Sequence, residues 1–262
     1  MNHKREITGW AMYDWANSAF STTVVTAFLG PYLAALIASR PGGTLPLHTY
    51  LIEPEAFYPF CVTVSVILQV LFLPLLGALA DLTNLKKRLL ILFATTGATA
   101  TIFLGLISSG AGVWLGGLLF ILANFSFGAA VVFYNAYLPD IATEEERDRV
   151  SSFGWGMRYL GGGILLALNL AFFIFSEDLG VPSELAVRIN LASAGVWWLG
   201  FSFFTWTRLR SRRAARSLPV GETYASIGFK QLRKTFSEVR HFPETLKFLL
   251  AYFLYNDGIQ TV

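Results

Sequence analysis

The sequence predicts an all-α integral membrane protein, a bundle of about six or seven transmembrane helices, and three observations carry that expectation. Apolar residues make up 54% of the 262 and charged residues only 14%, whereas a soluble domain carries about a quarter charged residues. The apolar residues come in blocks of about twenty, the length of helix that crosses a hydrocarbon core of roughly 30 Å at 1.5 Å per residue. Lysine and arginine gather on one side once those blocks alternate across the bilayer.

Hydropathy places spans at residues 10–38, 57–80, 89–107, 113–138, 153–175 and 186–207, with a seventh beginning near Leu246. The basic start, residues 1–6, could imitate a secretory signal. The apolar run that follows continues to Ala38 and ends in Leu36-Ile37-Ala38 without a small-x-small cleavage pattern, so it reads as a retained first helix.

Sixteen of the 20 lysines and arginines lie in segments 1–9, 81–88, 139–152 and 208–242, all on one face; the opposite face holds only Arg40 and Arg188. The positive-inside rule puts the N-terminus and those segments in the cytoplasm, with the plasma or inner membrane as the expected location. The asymmetry argues for six crossings before residue 208, because dropping one would scatter the positive charge over both faces. The expected organisation is therefore a six-helix part at 1–207, a basic cytoplasmic linker at 208–243 and the start of a seventh helix at 244–262.

The stretch 208–242 holds nine basic and two acidic residues, and Phe229, Leu232, Phe236 and Val239 give part of it an amphipathic face. It reads as a surface helix against anionic headgroups or as a solvated linker; nucleic acid is not an expected partner. The seventh block stops at Val262 after barely 17 residues. That makes the chain the expected fragment of a longer protein, with a second six-helix half missing; a half-transporter that dimerises is the alternative.

Little in the sequence suggests chemistry on a bond. Cys61 is the single cysteine, so no disulfide can form within the chain. His3, His48 and His241 fall in three separate segments without ligand spacing, and neither a metal nor a cofactor is expected. Gly161-Gly162-Gly163, after Gly154, is followed by leucines rather than by Gly-Lys-Ser/Thr, so it is no phosphate loop; such glycines permit close approach of helices. No nucleophile–base pair emerges, and an enzyme is not expected.

Polar residues inside the spans are the informative ones, since a charge near mid-bilayer costs about 2.5–3.5 kcal/mol on insertion scales. Asp14, Asn17, Ser18 and Ser21 recur at i, i+3, i+4 and i+7, one stripe of the first helix. The stripe suits a solute path or hydrogen bonding to a neighbouring helix. Asn124, Tyr134, Asn135 and Tyr137 add neutral donors and acceptors in the fourth span, with Asp140 at its cytoplasmic end. Tyr255, Asn256 and Asp257 lie about ten residues into the seventh block. At that depth Asp257 is the candidate to bind solute or carry a coupling proton, or to form a structural ion pair with a basic residue such as Arg158.

The segment Gly77-Ala78-Leu79-Ala80-Asp81-Leu82-Thr83-Asn84-Leu85-Lys86-Lys87-Arg88 resembles the loop signature of the major facilitator superfamily. Leu82, Asn84 and Leu85 stand where that signature carries a basic residue, a glycine and a basic residue. More specific are Gly9-Trp10-Ala11-Met12-Tyr13-Asp14-Trp15-Ala16-Asn17-Ser18-Ala19-Phe20, Tyr134-Asn135-Ala136-Tyr137-Leu138-Pro139, Val150-Ser151-Ser152-Phe153-Gly154 and Tyr255-Asn256-Asp257-Gly258. These are similar to the vacuole-effluxer-like branch, which includes autophagy-related amino-acid exporters.

The resemblance implies a six-helix N-terminal half of a major-facilitator-type bundle, with residues 208–242 as linker to a second half and a midplane site exposed alternately to each side. It implies a secondary transporter of small polar solutes, amino acids foremost, with protons as a possible coupling ion. Asp81, Lys86, Lys87, Arg88 and Asp140 would then belong to the gating loop. Arg158 stands where relatives carry a small residue, and reads as a cytoplasmic anchor or a local substrate determinant. The rival expectation is a non-transporting membrane receptor or scaffold whose polar residues only lock helices together.

Overall fold

The structure, a computed structural model, describes residues 2–47, 50–210, 226, 230, 233, 237, 242–248 and 251. Asn256 and Asp257 with most of the expected seventh span, nearly all of the linker and His48 lie outside those residues.

The first span is one continuous helical run in three parts: α1 (Asn2–Ala19), a π-helical stretch Phe20–Phe28, and α2 (Leu29–Ala38). In the middle part the backbone reaches back five residues, as in Leu29 N–H to Val24 O; the Thr26 hydroxyl likewise donates to Ser21 O at 2.9 Å. The run ends where Gly42 and Gly43 take φ of +86° and +65°, values a side chain rarely tolerates. A two-stranded antiparallel ribbon follows, β1 (Leu45–Leu47) and β2 (Tyr50–Ile52), with Leu45 opposite Ile52.

The remaining elements are α3 (Pro54–Leu82), α4 (Lys86–Leu104), a turn of 3₁₀-helix at Gly110–Gly112, α5 (Val113–Asn135), the single turn α6 (Leu138–Ile141), α7 (Arg147–Ile174) and α8 (Ser183–Arg208). Pro54 opens α3, where a missing N–H costs nothing. Among the described residues five helical runs, Lys4–Ala38, Pro54–Leu82, Lys86–Leu104, Val113–Ile141 and Arg147–Ile174, are long and apolar enough to cross a membrane. The expected sixth, α8, has 26 residues and thus about 39 Å of length. It is not among the five, because Arg188, Asn190 and its serines, threonines and tryptophans dilute its apolarity.

Packing is organised around α1, which runs against α7 and α8, while α4 packs on α5 and α8, and α3 on α5. Between helices in lipid the attraction comes from close fit rather than from burial of apolar area, and small residues supply that fit. A Cβ on Gly161 of α7 would run into the backbone of Trp15, and one on Gly162 would lie 2.8 Å from the Thr22 methyl. Gly163 meets nothing within 4 Å.

Two buried clusters fill the bundle. One surrounds Phe20, Leu33, Phe120 and Trp198; the other, toward the basic end, surrounds Trp10, Tyr13, Phe133, Tyr134 and Tyr137. Large apolar side chains such as Val66, Ile67, Val70 and Leu71 of α3 and Leu160, Ile164 and Leu168 of α7 point outward.

Candidate functional site

The polar stripe of α1 does not form one continuous wet face. Asp14, 7% exposed, accepts a hydrogen bond from the Tyr134 hydroxyl of α5 at 2.7 Å. Tyr134 is held in turn: Trp10 stacks on its ring at 4.3 Å and 10°, and the Trp10 indole N–H donates to Tyr134 O at 2.9 Å. Gly154 of α7 closes this side, where a Cβ would come 2.8 Å from the Trp10 ring and 3.0 Å from Asp14 Oδ2. A larger residue at position 154 would therefore displace the carboxylate or its tryptophan.

Arg158 lies one turn further along α7. Its guanidinium sits 5.9 Å from the Phe127 ring and 5.4 Å from the Trp155 ring. It is close enough to Asp14 to interact with it electrostatically, yet among the described residues Asp14 makes no ion pair. Since α7 begins at Arg147, six residues before the expected span, Arg158 is the twelfth residue of the helix rather than an edge residue.

Asn17 faces a different neighbour. It is fully buried beside the Tyr13 hydroxyl, which also approaches the Trp198 indole, yet none of Tyr13 Oη, Trp198 Nε1 and the two amide atoms of Asn17 reaches full hydrogen-bond geometry with a described residue. Ser18, buried beside Gly162, donates to Trp15 O at 3.0 Å, and half-buried Ser21 donates to Ser18 O at 3.0 Å. Both hydroxyls are thus spent on their own helix.

The loop residues divide similarly. Lys86, 4% exposed, donates from Nζ to Ala136 O and to Asp140 Oδ2, each at 2.9 Å, and its ammonium lies 5.6 Å from the Tyr137 ring. This ties the start of α4 to the α5–α6 junction. Lys87 Nζ donates to Leu209 O at 2.6 Å, and the buried Tyr137 donates its hydroxyl to Arg210 O at 3.1 Å. Asp81 is half-buried and bonded to no described residue; Gly77 borders open space, and Arg88 and Asn135 are exposed.

Sequence reasoning passed over a second buried polar group. Asn169 of α7 donates to Thr23 Oγ1 at 3.4 Å, Asn190 of α8 donates to Asn169 O at 2.9 Å, and Ser193 donates to Asn169 Oδ1 at 3.1 Å. The available signal was a lone amide in each of two apolar runs, since such amides in lipid are placed to bond across helices. Asn124 and Ser65 make a similar link between α5 and α3 at 2.7 Å, with Gln69 donating to Asn124 O at 3.0 Å.

Two cavities are bordered wholly by described residues other than Asp14. One of about 540 Å³ lies between α2, α7 and α8 near Tyr32 and Glu184. The other, of about 760 Å³, lies at the basic end between the starts of α1 and α4 and the end of α8. Among the described residues no group of three His, Cys, Asp or Glu side chains could hold a metal ion.

Comparison with known proteins completes the description. A family model described as vacuole effluxer Atg22 like matches residues 2–262. The MFS-type transporter YxiO of Bacillus subtilis, itself uncharacterized, is 29% identical over 98% of this chain and 58% of its own length. Autophagy-related protein 22-1 of Penicillium rubens is 24% identical over 99% of this chain and 61% of its own. Autophagy-related protein 22 of Yarrowia lipolytica is 25% identical over 86% and 50%. The chain thus spans about three fifths of the length of the first two of these relatives. No solved structure matches.

Proposed function

The chain belongs to the vacuole effluxer Atg22-like family, and from that premise we propose that it forms part of a secondary transporter that moves small zwitterionic solutes, amino acids foremost, by alternating access. Membrane transport is the coarse statement that its transporter relatives support. The N-terminus is read as cytoplasmic from the charge asymmetry, and the cytoplasmic membrane as the location.

One observation carries the choice of solute. Asp14 and Arg158 are opposite charges near enough to interact, and among the described residues they close no ion pair. An amino acid has the complementary pair of charges: its ammonium would suit the Asp14 carboxylate and its carboxylate the Arg158 guanidinium, whose planar fork matches two oxygens. Asn17, whose amide makes no full hydrogen bond to a described residue, supplies a neutral contact one turn away.

A rival reading, that these groups only lock helices together, draws on the Tyr134–Asp14 bond and on the absence of Asp14 from both cavities. The full-length protein in liposomes loaded with labelled amino acids separates the two. We expect flux above empty vesicles. Asp14→Asn, which still accepts from Tyr134 but has no charge, should lower that flux about tenfold or more with little change in Tm, because a charge-assisted bond is worth about 1.5–3 kcal/mol. Normal flux in that variant favours the lock; no flux for any amino acid removes the substrate assignment. Proton coupling is assigned to Asp257, and Asp257→Asn should then abolish the response to a pH gradient.

A further inference from the structure

The larger cavity takes no part in the transport reading, and its lining is unbalanced in charge. Arg5 of α1, Lys87 of α4, and Arg208 and Arg210 at the end of α8 open on it, against one carboxylate, Glu6. Three stretches far apart in sequence bring these cations together, and like charges gathered around one hollow repel unless an anion enters. Glu6 is a single carboxylate beside four cations, and one of its oxygens also accepts the Arg210 backbone N–H at 3.1 Å.

The walls are also fixed. Lys87 clamps the Leu209 carbonyl at 2.6 Å, and the Tyr137 hydroxyl holds the Arg210 carbonyl at 3.1 Å, so the tail of α8 is pinned against α4 and α5. Lys87 stands in the first turn of α4, which no side chain caps, and the positive end of that helix adds to the field. The cavity lies at the helix ends where the basic segments cluster, the plane in which a bilayer presents its headgroups.

We infer that this cavity binds a phosphate group, through Arg5, Lys87, Arg208 and Arg210. Arginine forks match phosphate oxygens pairwise, and phosphate is the anion a membrane surface offers in quantity. The same chemistry could come from an anionic phospholipid or from free phosphate, and the inference is independent of which solute is carried.

The test uses the full-length protein, purified and delipidated. Two probes are titrated while Tm is followed: phosphatidylglycerol, with its net negative phosphate, against phosphatidylcholine, whose own choline neutralises its phosphate, and inorganic phosphate against chloride at matched ionic strength. A rise in Tm with phosphatidylglycerol alone identifies the lipid as source, with inorganic phosphate alone the free anion, and with both a site that reads only the phosphate. Arg5→Gln and Arg210→Gln change exposed side chains, and together they should weaken the response about tenfold. Arg149→Gln, an exposed cation outside the cavity, should change it by about twofold at most. No Tm shift beyond the phosphatidylcholine and chloride controls overturns the inference. So does an Arg149→Gln loss as large as that of the cavity variants, which would mean diffuse surface charge.

Discussion

Asp14 and Asn17 stand three residues apart on one helix and live in opposite conditions. The Asp14 carboxylate has a donor, and that donor is fixed by stacking and by a second hydrogen bond. The Asn17 amide is also buried, with Tyr13 near it but no well-formed hydrogen bond to any described residue. An unmade hydrogen bond in a buried site costs about 1–3 kcal/mol. The first neighbourhood therefore contributes stability, whereas the second is carried at a cost, and an arrangement kept at a cost is where a ligand or a second conformation is expected to act.

The contrast can be broken outright at Gly161. Gly161→Leu puts a side chain into the backbone of Trp15, which cannot give way as a flexible side chain would. It should separate α1 from α7 and remove both neighbourhoods at once, read as loss of folded protein in size-exclusion chromatography. A monodisperse variant with wild-type Tm would show that α1 and α7 are not locked by this approach.

Tyr134→Phe comes next in size. It strands a buried carboxylate, and the expected loss is about 2 kcal/mol, seen as a lower Tm. Asn17→Ala should move stability least. Deleting the two incompletely bonded amide atoms offsets the small void left behind, so the net change should stay within about 1 kcal/mol, while amino-acid flux in liposomes falls. If Asn17→Ala destabilised as much as Tyr134→Phe, the amide would have a partner and the contrast would fail.

The spans were legible because bilayer thickness sets their length. Expected residues 57–80 lie inside α3, and 113–138 inside the run Val113–Ile141. The β-ribbon was not legible: Leu45-Pro46-Leu47 and Tyr50-Leu51-Ile52 are too short to alternate, and they border a glycine turn. At the site, spacing located Asp14, Asn17 and Ser18 by angle but not by neighbour. A helix in the middle of a bundle has neighbours all round, so Asp14 meets α5, Tyr13 beside Asn17 meets Trp198 of α8 and Ser18 meets Gly162 of α7. Lys86 and Asp140 were visible as charges at two span ends, but that they would meet depended on how α4 packs on α5.

The π-helical stretch at Phe20–Phe28 leaves the first span wound at two pitches. Residues beyond it are out of phase with those before it, so counting in threes and fours from Asp14 no longer tells which way Tyr32 or Leu33 points. The change of pitch falls between Asp14 and the far end of the span, and Gly162 meets the π-helical stretch itself at Thr22, so α7 packs across the point where the winding changes.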